Sequence, residues 1–103
     1  MATKLCLGQI GTFEMSGYIS DAKVEELENL ANQARELLIE MLTEAGSGHT
    51  AGPLGMADIF TAMYFHILNH DPKNPEWSER DRLILSNGHI TPIRYVTMAM
   101  AGY

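Results

Sequence analysis

Residues 21–46 read DAKVEELENLANQARELLIEMLTEAG, and their pattern is the clearest structural signal in the chain. Apolar residues recur at gaps of three and one, which is typical of an amphipathic helix that buries one face. Ser20 or Asp21 can cap its start, and Gly46 is a natural end because glycine tolerates a left-handed turn. The apolar positions are Val24, Leu27, Leu30, Ala31, Ala34, Leu37, Leu38, Met41, Leu42 and Ala45.

The next ten residues, GSGHTAGPLG (46–55), contain four glycines. Such a stretch does not favour a helix, so we predict a loop whose backbone can approach another group closely. A second helix is expected to open between Pro53 and Met56 and to end before Asp71-Pro72, since a residue before proline is pushed out of helical conformation. Its apolar stripe is Met56, Ile59, Phe60, Met63, Tyr64, Ile67 and Leu68.

Residues 83–85 (LIL) form a short apolar run that predicts a buried parallel strand. Asn87-Gly88 breaks this run, and residues 90–101 read as a third helix with Pro92 in its first turn. Gly102 is placed to cap that helix.

One strand between helices is an α/β pattern, but a single strand needs a sheet to join. Either a second strand lies in residues 1–19, or the chain is a piece of a larger domain, and we favour the piece. Residues 1–19 are therefore left as an unassigned N-terminal arm. Residues 20–103 are interpreted as an incomplete, mostly helical portion of a parallel-sheet α/β domain.

The composition excludes several classes of protein and of binding partner. The chain has 103 residues, 46% of them hydrophobic, and a net charge of −6, which fits one folded domain. The acidic balance argues against nucleic-acid and anionic-membrane partners, which favour clustered Lys and Arg. A single cysteine, Cys6, cannot close an intramolecular disulfide. With no membrane-spanning run and no secretory signal, we expect a cytoplasmic protein.

Two histidines stand at element boundaries, and two lie in the second helix. His49 lies in the glycine-rich loop, and His89 lies at the predicted strand-to-helix turn, where α/β folds bind ligands. Either could donate to a phosphate or move a proton, or could simply bond to the local backbone. His66 and His70 have a metal-compatible spacing but no third ligand, so we expect no metal there. The run 80–82 (RDR) could form a local salt-bridge cluster.

Longer motifs carry a family resemblance. SGHTAGPLGMADI (47–59) resembles the first active-site loop of transketolases, and RDRLILSNGH (80–89), Tyr95 and Gly102-Tyr103 follow in the same order. Over about residues 21–103 the chain resembles the start of the pyrophosphate-binding domain of transketolase. The N-terminal subunit of forms split into two polypeptides is especially similar.

This resemblance implies a thiamine-diphosphate enzyme of the pentose phosphate pathway that moves a two-carbon ketol unit between sugar phosphates. It implies that His49 is catalytic, contacting the donor sugar and moving protons, and that His89 binds the cofactor's diphosphate. It further implies a magnesium ion whose ligands are not in this chain, a C-terminal subunit or further domains as partner, and a homo-oligomer. We expect the isolated chain to be inactive.

Thr50-Ala51 departs from the family's usual Pro-Gly, and residues 1–19 match no part of the family. Two alternatives stay open. The chain could be a fragment of an enzyme similar to deoxyxylulose-phosphate synthase, although the segment 86–89 follows the transketolase pattern. It could also be a truncated, non-catalytic helical module that self-associates through uncovered apolar faces.

Overall fold

The computed structural model describes residues 18–103, which are mostly helical. No strand occurs within this range, and none of its helices is long and apolar enough to cross a membrane. The arm predicted for residues 1–19 falls almost wholly outside the described residues. The α-helices are α1 (Asp21–Ala45), α2 (Ala51–Gly55), α3 (Ala57–Ala62) and α4 (Thr91–Ala101). A π-helical turn (Met63–Ile67) continues α3, and a 3-10 turn (Gly88–Ile90) leads into α4.

Helix α1 confirms the prediction at both ends. The Ser20 hydroxyl accepts a hydrogen bond from the Lys23 backbone N–H at 3.2 Å, which satisfies one of the free donors of the first turn. Gly46 ends the helix in left-handed conformation, with φ 65°. The capping residues therefore mark both ends of α1.

The second helix begins earlier than the sequence predicted. Residues 51–55 are helical as α2, although they were expected to belong largely to the loop. Pro53 lies in the first turn of α2, where a missing N–H removes no intrahelical bond, so the proline does not oppose the helix. Met56 separates α2 from α3, and the helix then loosens into the π turn before it ends at Ile67.

The core lies where α1 packs against α3 and α4, which also pack against each other. Small buried side chains on α1, Ala31 and Ala34, let the helices approach closely, and Leu38 is fully buried beside them. The buried cluster consists of Ala34, Leu38, Ala57, Phe60, Tyr64, Ile90, Ile93 and Val96.

The strand predicted at residues 83–85 is not formed in the described part of the chain. Leu83 and Leu85 pack against the core, but Ile84 between them is 88% exposed. This alternation is what an extended segment shows when only one of its faces is covered. A strand needs a neighbouring strand for its backbone hydrogen bonds, and residues 18–103 supply none.

The long connection between the π turn and residue 82 closes on itself through Asn69 and Asp81. The Asn69 backbone N–H donates to Asp81 Oδ2 at 2.8 Å, and the Asp81 N–H donates to the Asn69 carbonyl at 2.8 Å. Arg80 donates to the Trp77 carbonyl at 2.7 Å rather than to a carboxylate. The salt-bridge cluster considered for residues 80–82 is therefore wrong, because its groups bond to backbone and to Asn69.

The end of the chain returns to the same connection. His70 Nδ1 lies 2.8 Å from the Tyr103 hydroxyl, and Nε2 lies 2.7 Å from the Tyr64 carbonyl. A carbonyl only accepts, so Nε2 carries a proton and donates to it. Burial raises the pKa of the Tyr103 phenol above its ordinary value of 10.0, Tyr64 and Asp71 add to the rise, and Arg80 opposes it.

We expect Leu38→Ala to lower the free energy of unfolding by about 2–5 kcal/mol, because it deletes a buried side chain and leaves a cavity. Leu37→Ala removes the same atoms from the next position of α1, where the side chain is 43% exposed. Urea unfolding followed by circular dichroism compares the two variants. Equal losses would contradict the core as described.

We expect Tyr103 to titrate above pH 10. The fold favours the neutral phenol, so this group's contribution to stability is complete below pH 10 and is lost as the pH rises through its raised pKa. The difference in ultraviolet absorbance between the wild type and Tyr103→Phe, followed against pH, isolates this phenol from the other tyrosines. A difference curve centred at or below pH 10 would refute the expectation.

Candidate functional site

His49 lies in the short connection between α1 and α2. Gly46 and Gly48 both have positive φ, 65° and 118°, a region that few residues other than glycine adopt readily. A Cβ at Gly48 would lie 2.5 Å from Cδ2 of Leu42, so the turn folds tightly onto the end of α1. His49 follows this turn, and its side chain is exposed.

His89 lies in the 3-10 turn that opens α4. The next residue, Ile90, is 3% exposed and belongs to the core. The Thr91 hydroxyl donates to the Gly88 carbonyl and closes the turn. The backbone is thus anchored on both sides of His89, whose own side chain is exposed.

The structure brings the two imidazoles together. The ring centroids of His49 and His89 lie 5.6 Å apart with 61° between the planes, an edge-to-face contact. The alternative considered from sequence was a turn histidine bonded to local backbone. Within residues 18–103 neither ring makes a hydrogen bond. An imidazole nitrogen can donate to, or accept from, a ligand, according to whether it carries a proton.

The backbone of α2 forms one side of this site. A Cβ placed on Gly52 would lie 3.6 Å from Cδ2 and 3.9 Å from Nε2 of His89, so the helix borders the imidazole directly. Sequence reasoning identified the glycine-rich stretch but missed this contact, because residues 51–55 were not expected to be helical. The result is an exposed corner with two imidazoles and a bare helix backbone, which suits a ligand carrying phosphate or hydroxyl groups.

The other two histidines lie elsewhere. His66 is exposed in the π turn, and both ring nitrogens of His70 are engaged by Tyr103 and Tyr64. In the part of the chain that the structure describes, no group of three or more His, Cys, Asp or Glu side chains could hold a metal ion. Cys6 lies outside that part.

Asp58 has a role that its position in the sequence did not reveal. Arg35 of α1 donates to its Oδ2. The pair links α1 to α3 on the surface, where solvent screening leaves it worth less than about 1 kcal/mol. It therefore aligns the two helices and adds little to stability.

Comparison with known proteins adds a family match. A family described as "Transketolase, thiamine diphosphate binding domain" matches residues 26–103. Transketolase 1 of Aliivibrio fischeri is 46% identical over 76 residues, which are 74% of this chain and 11% of that protein. Transketolase 1 of Vibrio parahaemolyticus is 45% identical over 76 residues, with the same coverage of each chain.

A shorter relative is also similar. The 6-deoxy-6-sulfo-D-fructose transketolase subunit SqwG of Clostridium is 42% identical over 78 residues, which are 76% of this chain and 28% of that subunit. The chain thus spans about a tenth of the length of the longer relatives and just over a quarter of the SqwG subunit.

Proposed function

The chain belongs to the thiamine-diphosphate-binding domain family of transketolases, and from this we propose that it forms the N-terminal part of a transketolase active site. The completed enzyme would transfer a two-carbon ketol unit between sugar phosphates. The observation that carries the proposal is the contact between His49 and His89, 5.6 Å between ring centroids, at a corner bordered by bare helix backbone.

Two features of the corner support a thiamine diphosphate ligand. Two exposed imidazoles can each supply a hydrogen-bond donor, and the missing side chain of Gly52 leaves room beside His89. A diphosphate is a strong acceptor, so a donor aimed at it forms a charge-assisted bond. When bound, the cofactor supplies the electron sink for breaking and forming the carbon–carbon bond.

His89 would hold the diphosphate, and His49 would face the donor sugar. The backbone around His89 is anchored by the burial of Ile90, which favours a fixed binding role. His49 follows a tight turn, its side chain is exposed beside the His89 ring, and imidazole can give or take a proton near neutral pH. A hydroxyl of the sugar next to His49 could therefore exchange its proton with that ring.

Completion by another polypeptide or further domains is part of the proposal. Residues 18–103 contain no set of side chains for the magnesium ion that accompanies thiamine diphosphate, so its ligands would come from elsewhere. The SqwG relative is itself described as a subunit, which supports a C-terminal partner chain. We further propose a cytoplasmic homo-oligomer, and that the isolated chain is inactive.

One observation favours a second function. Several large apolar side chains are exposed, among them Ile84 at 88% and Tyr95 and Ile67 at 59% each. A non-catalytic module that self-associates through these faces would show the same exposure. The two functions differ in their dependence on the histidines, since self-association has no need of His49.

We expect His49→Ala to lower kcat for ketol transfer by about 10²–10⁴-fold, the usual range for a group that moves a proton. The measurement uses a chimera in which residues 26–103 replace the matching segment of the Aliivibrio transketolase. His66→Ala, an exposed histidine outside the corner, is the control and should keep full activity. Ketol transfer that is unaffected by His49→Ala, or that occurs with the isolated chain, would contradict the proposal.

We expect His89→Ala to weaken the binding of thiamine diphosphate by roughly 10–100-fold, because a hydrogen bond to a charged group contributes about 1.5–3 kcal/mol. Calorimetric titration of the same chimera with the cofactor gives the affinity. His49→Ala serves here as the matched comparison and should change the affinity much less. Equal losses in the two variants would argue against separate roles.

A further inference from the structure

Gly52 lies so close to Ile90 that a residue with a side chain would not fit at position 52. A Cβ on Gly52 would lie 2.9 Å from Cγ2 of Ile90, a distance at which one of the two groups must move. The φ angle of Gly52 is not positive, unlike those of Gly46 and Gly48. Glycine is therefore required at this position by the space available and not by the backbone conformation.

The Ile90 side chain cannot readily move away from a Cβ at position 52. It is 3% exposed and belongs to the buried cluster, and a β-branched side chain has few alternative rotamers. Close packing resists the displacement of such a group. An added Cβ at Gly52 would therefore push α2 outward rather than move Ile90 inward.

Each partner of this contact lies close along the chain to one of the two histidines of the site. Gly52 is three residues after His49, and Ile90 directly follows His89. Helix α2 also packs against the 3-10 turn and α4. The contact thus joins the two backbone segments that carry the imidazoles.

We propose that Gly52 and Ile90 are a size-matched pair that sets the separation of the two imidazoles, so that Gly52 is a positioning residue of the site. An isoleucine at 90 requires a glycine at 52, and together they hold the rings in contact. The catalytic meaning of this spacing rests on the proposed function, whereas the geometric claim does not.

The test compares Gly52→Ala with Gly55→Ala in the full chain. Gly55 lies in the same helix, and a Cβ there would meet nothing within 4 Å, so it carries the same chemical change without the contact. The readout is the nuclear Overhauser effect between the ring protons of His49 and His89. We expect Gly52→Ala to weaken this effect clearly, because it falls steeply with the separation of the protons, and Gly55→Ala to preserve it.

A compensating substitution distinguishes a positioning role of Gly52 from a general loss of folding. Ile90→Leu removes Cγ2 while keeping the side-chain volume, and it should restore the ring contact in the Gly52→Ala background. Ile90→Ala serves the same purpose if the leucine variant does not fold. A folded Gly52→Ala chain with an unchanged ring contact overturns the proposal, as does failure of both compensating variants to restore it.

Activity is measured separately in the chimera. There we expect Gly52→Ala to lower kcat on the order of 10²-fold, since a misplacement of about 1 Å can cost this much, and Gly55→Ala to leave it unchanged. If Gly52→Ala loses the ring contact but keeps normal ketol transfer, the spacing has no catalytic role, and only the size-matched pair is supported. If the ring contact persists in Gly52→Ala, the claim of a size-matched pair is wrong, and the proposed function is unaffected.

Discussion

The burial of one apolar cluster between α1, α3 and α4 holds the candidate site in position. Ile90 belongs to this cluster and directly precedes α4, so packing the core also fixes the backbone from which His89 projects. Helix α2 rests on that same corner and positions the segment that carries His49. The two imidazoles contact each other because the helices around them are packed, and no hydrogen bond between the rings is needed.

Small residues make this packing possible. Ala31 and Ala34 on α1 and Ala57 on α3 are fully buried, and an alanine loses little side-chain entropy on burial. Gly52 has no side chain at all, so it allows the closest approach of backbones at the site. Where side chains are this small, the distance between backbones is set by the few large groups that remain, of which Ile90 is the one at the site.

Polar groups, in contrast, shape the long connection before α4. The Asn69–Asp81 bonds and the contacts of His70 with Tyr64 and Tyr103 replace the regular backbone ladder that a helix or sheet would supply. These polar contacts place residues 83–85 in extended form beside the core. Under the proposed function, strands from the rest of the enzyme would pair with the backbone edges of this segment.

The amino-acid sequence alone determined the features that depend on neighbouring residues. The period of α1, its Ser20 and Gly46 caps and the course of α4 were predicted correctly, because spacing and capping act within a few residues. The motifs containing His49 and His89 also stood out in the sequence, and the family match confirmed the resemblance they carry. Only the tertiary structure decided that these imidazoles touch, that residues 51–55 are helical, that Gly52 must be small, and that residues 83–85 find no pairing strand within residues 18–103. Each of these depends on groups distant in the chain, and helix packing or strand pairing supplies an energy that local patterns do not contain.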